Sequence, residues 1–105
     1  MKFIETVGFS RRLFELLDDD SYRAMQAALL ANPGRGALIA GTGGLRRLRW
    51  GLPGRGKRGA LRVIYYWDAP AETIFLLLLY TKQEQEAPTR DELRFLARLM
   101  KEDDA

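Results

Sequence analysis

Arg62, Tyr80 and Lys82, with Arg49 and Lys57 upstream, are the residues of this chain whose types and spacing suit a reaction. Leu61 to Trp67 and Thr73 to Thr81 read as neighbouring strands. Strand periodicity puts Leu61, Val63, Tyr65 and Trp67 on one face and Arg62, Ile64 and Tyr66 on the other. Tyr80 and Lys82 share a parity at the end of the second run, so a paired Arg62 faces across towards both. A groove lined by Arg49, Lys57, Arg62, Tyr80 and Lys82 is strongly electropositive. This set is poor for most enzyme classes but adequate for one reaction, the cutting of RNA by its own 2′-hydroxyl attacking the adjacent phosphate. That reaction needs charge stabilisation and proton transfer but no metal. Arginine supplies a fixed fork of donors for a phosphorane-like transition state. A Lys or Tyr crowded by cations has its pKa lowered, because the extra proton is repelled, and becomes a candidate base. The same crowding makes a neighbouring cationic group a better acid.

The chain has neither cysteine nor histidine. That speaks against a disulfide framework and against zinc, haem or iron–sulfur sites, and it removes the usual general base. No cofactor is expected.

The net charge of +3 hides two opposed fields. From Ser21 to Trp67 the chain holds nine cations and no carboxylate; the remainder holds eight cations against fourteen acids. Seven of the nine lie in GGLRRLRWGLPGRGKRGALRVIYYW, two β-like runs around a glycine-rich basic loop. Such a concentration repels itself unless an anion is meant to sit there, and a nucleic-acid backbone is the leading one.

Elements to position these residues follow from pattern. The 105 residues are expected to form one domain, burying roughly 60–65% of the unfolded surface. KFIETV alternates as a short strand. Ser10 is placed as the cap of a first helix with Phe9, Leu13, Leu16 and Leu17 on one stripe. Asp18, Asp19 and Asp20 end it and start a second, with Tyr22, Met25, Ala28 and Leu29 apolar, stopped at Asn32-Pro33-Gly34. Gly34 to Gly44 reads as loop with one short apolar stretch, Ala37 to Ala40. Leu45 to Trp50, Leu61 to Trp67 and Thr73 to Thr81 follow as an antiparallel meander. TIFLLLLYT is apolar on both parities and should be central and covered on both faces. Thr89 and Glu92 form a capping box for a last helix with Leu93, Leu96, Ala97 and Met100 on one side. The expected class is α+β in the order β-α-α-β-β-β-α, with a mainly antiparallel sheet, an N-terminal helical hairpin and a C-terminal helix. The first residues lack the order of a signal peptide, and the longest apolar run, Ile74 to Tyr80, is far short of a bilayer span. A soluble cytoplasmic protein is the expectation.

Plainer roles stand beside each of these. Arg46 and Arg47 also suit a solvated strand face, and Arg55-Gly56-Lys57-Arg58 a hairpin tip. Tyr65, Tyr66 and Trp67 suit a core as well as base stacking. Gly41-Thr42-Gly43-Gly44 lacks the lysine and following helix of a phosphate loop, and reads as a turn. The acidic helices at the two ends read as solvated faces.

Four stretches, SYRAMQAALLANP, GGLRRLRW, GRGKRGALRVIYYW and IFLLLLYTK before a terminal helix, resemble the RelE/ParE superfamily of bacterial toxins on its HigB-like branch. The resemblance covers most of the chain, and the pairing of G-G-L-R-x-L-R-W with G-x-G-K-R-G-x-x-R-V-I-Y-Y carries its specificity. It implies the toxin of a type II toxin–antitoxin system, which enters the ribosomal A site, cuts the mRNA there and inhibits translation. The implied partners are the ribosome with its mRNA and a cognate helix-turn-helix antitoxin encoded in an adjacent gene. Operator DNA is reached only through that antitoxin, and no membrane is involved. Such active sites are built from scattered basic residues and a tyrosine on the open sheet face. Carried over, Arg62 matches the arginine of the middle strand, Tyr80 and Lys82 the tyrosine and basic residue closing the last strand, and Lys57 the basic loop lysine. Arg46, Arg47, Arg49, Arg55 and Arg58 are then the RNA- and ribosome-binding cations. Some members use a histidine that this chain lacks, which leaves the base open.

Two other readings remain. The ParE branch has the same fold and poisons DNA gyrase without nuclease activity, but has no need of a tyrosine between two cations. A degenerate toxin would bind only its antitoxin and operator DNA.

Overall fold

The computed structural model describes residues 1–51, 60–82 and 87–103. Its elements run β1 (Lys2–Glu5), α1 (Val7–Leu16), α2 (Asp19–Ala31), β2 (Ala37–Leu38), β3 (Leu45–Trp50), β4 (Leu61–Asp68), β5 (Thr73–Thr81) and α3 (Arg90–Asp103). The architecture is α+β: the described residues form three helices and a five-stranded mixed sheet in the order β1-β5-β4-β3-β2. β1 pairs with β5 in parallel, and the other neighbours are antiparallel.

Local chemistry sets most boundaries, with two differences from the pattern. Helix α1 starts three residues before Ser10, because Thr6 caps it. The Thr6 hydroxyl accepts from the Phe9 N–H at 3.0 Å and donates to the Leu77 carbonyl at 2.8 Å, which ties the helix start to β5. Ser10 instead donates to the Glu5 carboxylate at 2.6 Å. The second difference is β2, a two-residue strand opposite Arg46 and Arg47 inside the segment expected as loop. Asp18 caps α2 as expected, accepting from the Ser21 N–H at 2.7 Å, with Asp19 and Asp20 in the positive first turn. The Thr89–Glu92 box forms at the head of α3: the Glu92 N–H donates to the Thr89 hydroxyl at 3.1 Å.

The sheet is covered on both faces. The α1–α2 hairpin packs Phe9, Met25 and Leu29 on Leu48, Leu61, Val63, Tyr65, Ile74, Leu76 and Leu79. Helix α3 packs Leu93, Ala97 and Met100 on Leu45, Ile64, Leu77 and Tyr80. Strand β5 is buried on both faces, as its double-parity apolar run requires. It is an interior strand, paired with β1 on one side and β4 on the other.

One irregularity governs what β5 presents. Ile64 pairs with Leu78 and Tyr65 with Leu76, so Leu77 is an extra residue opposite β4. A bulge of this kind reverses the side-chain parity beyond it. Ile74 and Leu76 therefore face the helical hairpin while Tyr80, of the same parity in sequence, faces α3.

Candidate functional site

The site begins with the β4–β5 register. Beyond the bulge Arg62 stands directly opposite Tyr80, and on the other side of β4 Arg49 stands opposite Arg62. Cross-strand partners project to the same face with Cβ atoms roughly 4.5–5.5 Å apart. Arg49, Arg62 and Tyr80 thus form a row across three strands, on the face shared with α3. Lys82 follows the end of β5 and is exposed, one strand repeat beyond Tyr80.

The row is graded in exposure. Arg49 is exposed and Arg62 half-buried, with one guanidinium nitrogen donating to the Ala60 carbonyl at 3.1 Å. Tyr80 is 6% exposed, its ring part of the cluster under Leu93, Ala97 and Met100. This differs from the open sheet face that the resemblance implies, because α3 lies on that face. Its apolar stripe covers the part of the sheet around Tyr80, while Arg49 is left exposed.

The two arginines of Arg46-Arg47 do not belong together. Strand alternation sends Arg47 to the α3 face, where it is exposed, and Arg46 to the hairpin face. There Arg46 donates to the carbonyls of Gly34 and Gly36 at 3.0 and 2.8 Å. Its charge is spent holding the loop after α2. Tyr65 holds the same loop: its phenol donates to the Pro33 carbonyl at 2.7 Å and accepts from the Gly36 N–H at 2.8 Å. Burial pushes the Tyr65 phenol above its ordinary pKa, partly offset by the Gly36 N–H and by the charges of Arg46 and Arg35. A side chain at Gly36 would crowd this loop, since a Cβ would lie 2.8 Å from the Tyr65 ring and 3.0 Å from the Arg47 carbonyl. Arg35 lies over the Trp50 ring at 5.8 Å, a cation–π contact on the same side of the sheet as Arg46. Lys57, Arg55 and Arg58 lie outside the described residues.

Two further pairs of cations line cavities against the sheet, neither evident from pattern. Arg11 and Arg12 of α1 line a cavity of about 260 Å³ with Gly8, Leu78, Leu79 and Tyr80. Arg12 also pairs with Glu15 at 2.6 Å. They reach Tyr80 because Thr6 pins α1 beside the half of β5 that β1 does not cover. Arg90 and Arg94, in a helix expected to be a solvated face, line a second cavity with Arg47. The signal in sequence was their i, i+4 spacing at the start of an amphipathic helix, which is common on surfaces and so said little.

No helix among the described residues is long and apolar enough to cross a membrane. No protein-family model matches the chain.

Proposed function

We propose that this chain is the toxin of a type II toxin–antitoxin system, of the RelE/ParE superfamily and its HigB-like branch, and that it cuts mRNA on the ribosome. The observation that carries the reading is the Arg49–Arg62–Tyr80 row, two guanidiniums and a phenol brought level across three strands by a bulge. Supporting it are the four sequence stretches of the resemblance and the 47-residue segment without an acid.

The 2′-hydroxyl of one nucleotide attacks the adjacent phosphorus, and the bond from phosphorus to the 5′-oxygen of the next nucleotide breaks. One proton leaves the 2′-oxygen and one is delivered to the departing 5′-oxygen. The products are a 2′,3′-cyclic phosphate and a free 5′-hydroxyl. Arg62 neutralises the charge that develops on the non-bridging oxygens, with Arg49 as the next cation along the row. Tyr80, Lys82 and Lys57 are the proton-transfer candidates. Side-chain charge supplies what a metal would supply in other nucleases, and no cofactor enters the step. The antitoxin, from an adjacent gene, silences the toxin by placing acidic or apolar residues over the basic face.

The packing of Tyr80 under α3 favours a second reading, a ParE-like gyrase poison in which that phenol is structural. Induced expression separates the two. The nuclease reading expects arrest of growth and translation with cut mRNA, reversed by the neighbouring gene. Arrest with DNA breaks and intact mRNA would give the gyrase reading, and indifference to abundant folded protein would leave a degenerate toxin.

A further inference from the structure

The cavity between the β2–β3 turn and the start of α3 takes no part in the chemistry above. It measures about 490 Å³, and Arg47, Arg90 and Arg94 line it together with Thr42, Pro88 and Leu93. Three arginines from two separate elements line it, and none of its lining residues carries a carboxylate. The carboxylate of Asp91 is 3.7 Å from Arg94, but both groups are exposed and such a contact neutralises little. Three like charges around one cavity repel each other unless an anion sits among them.

The anion class follows from the donors. Guanidiniums present planar forks that match phosphate oxygens in pairs. The space exceeds a phosphate and falls within the range of small-ligand sites, and Leu93 and Pro88 supply an apolar wall for a ribose or base. The Thr42 hydroxyl, donating to the Ile39 carbonyl at 2.7 Å and accepting from the Leu45 N–H at 3.2 Å, ties together the turn that lines the cavity. A phosphorylated nucleotide unit fits this combination.

The cavity is also in line with the site. Arg47 and Arg49 share one face of β3 and are roughly 6.8 Å apart along the strand. Arg49 is opposite Arg62, and Arg62 opposite Tyr80. We propose that the cavity of Arg47, Arg90 and Arg94 seats a backbone phosphate of the RNA strand whose scissile bond lies at Arg62 and Tyr80. This rests on the nuclease reading for the strand's path, but its phosphate chemistry does not.

The experiment titrates a short labelled single-stranded RNA with the free full-length protein across a salt series. Binding is compared for the wild type, Arg90→Ala/Arg94→Ala, and Arg98→Ala, an exposed cation of the same helix outside the cavity. Thermal melts confirm that each variant is folded. The double variant should lose roughly tenfold to a hundredfold in affinity. Its salt slope should fall by about 0.7 for the one phosphate released. Arg98→Ala should change affinity less than the double variant. Equal losses in Arg98→Ala, or unchanged affinity in a folded double variant, would overturn the assignment. Inorganic phosphate and 5′-AMP are run as competing probes. Saturable 5′-AMP binding lost in the double variant while RNA affinity is unchanged would overturn it in favour of a free nucleotide. The two readings separate cleanly. Loss of RNA affinity in the double variant, with wild-type protein cutting nothing on ribosomes, upholds the cavity and refutes the nuclease. Cleavage by a wild type whose RNA affinity ignores the double variant does the reverse.

Discussion

Arg62 and Tyr80 are direct cross-strand partners, and they share a face only because Leu77 is an extra residue in β5. Without that bulge Tyr80 would continue the parity of Ile74 and Leu76 and enter the core beneath the helical hairpin. The bulge thus trades regular alternation for a phenol set beside a guanidinium. Bulges next to active sites commonly re-aim a side chain in this way.

Cleavage on programmed ribosomes should depend on this pair. Arg62→Ala should slow single-turnover cutting by about 10²–10³, the cost of removing one transition-state donor. Tyr80→Phe keeps the buried ring and removes only the hydroxyl; if that hydroxyl transfers a proton, the loss is about 10²–10⁴. Lys82→Ala is expected in the same range if Lys82 is the partner in proton transfer. End-group analysis should find a 2′,3′-cyclic phosphate. A 5′-phosphate product refutes the mechanism, and full activity in both Arg62→Ala and Lys82→Ala refutes the site.

Arg46 and Arg47, adjacent in sequence, should behave oppositely. Arg46→Ala strands the Gly34 and Gly36 carbonyls and should cost about 1.5–3 kcal/mol of stability. Arg47→Ala should leave stability within about 0.5 kcal/mol and weaken RNA binding with a shallower salt slope. Urea midpoints and RNA titrations on the same preparations check both. Matching losses from the two variants in both measurements would contradict the division of faces.

The Gly36–Tyr65 contact should be among the least forgiving in the molecule. Gly36→Ala forces a Cβ to 2.8 Å from the ring and 3.0 Å from a backbone carbonyl, an overpacking that should cost about 1–3 kcal/mol. Tyr65→Phe leaves the Gly36 N–H and the Pro33 carbonyl without the phenol, also about 1–3 kcal/mol. If the strain lies in this contact, Tyr65→Leu should lessen the further effect of Gly36→Ala, which a double-mutant cycle measures.

Stability should fall at alkaline pH. Tyr22 has its pKa raised, first by burial and then by its hydrogen bond to Glu5 at 2.6 Å; Tyr65 is raised chiefly by burial. The unfolded chain releases phenolic protons near pH 10, while the folded chain keeps these two to higher pH. The folded state then binds more protons, so its stability is intact below about pH 10 and declines above it. Tyr22→Phe should flatten part of that decline. Denaturant midpoints against pH, with tyrosinate absorbance, test this; ionisation of both phenols at the unfolded value in folded protein would refute it.

Much of the scaffold was legible in the residues themselves. Alternation in LRVIYYW separates Arg62 from the core, double-parity hydrophobicity buries TIFLLLLYT on both faces, and Asp18 and Thr89 mark helix starts by local hydrogen bonding. These are short-range properties, decided by each residue's neighbours in sequence. The rest depends on contacts distant along the chain. By type Ser10 is at least as good a cap as Thr6, yet Thr6 caps the helix, and its hydroxyl also reaches Leu77, 71 residues away. Arg46 and Arg47 are chemically identical, and only the pairing of β3 and the place of Gly34 and Gly36 make one a clamp and the other a surface cation. The bulge at Leu77 is invisible in an unbroken apolar run, because every register of LLLL buries the same hydrocarbon. The faces of β4, one of which carries Arg62, select one register, and that selection places Tyr80 under α3.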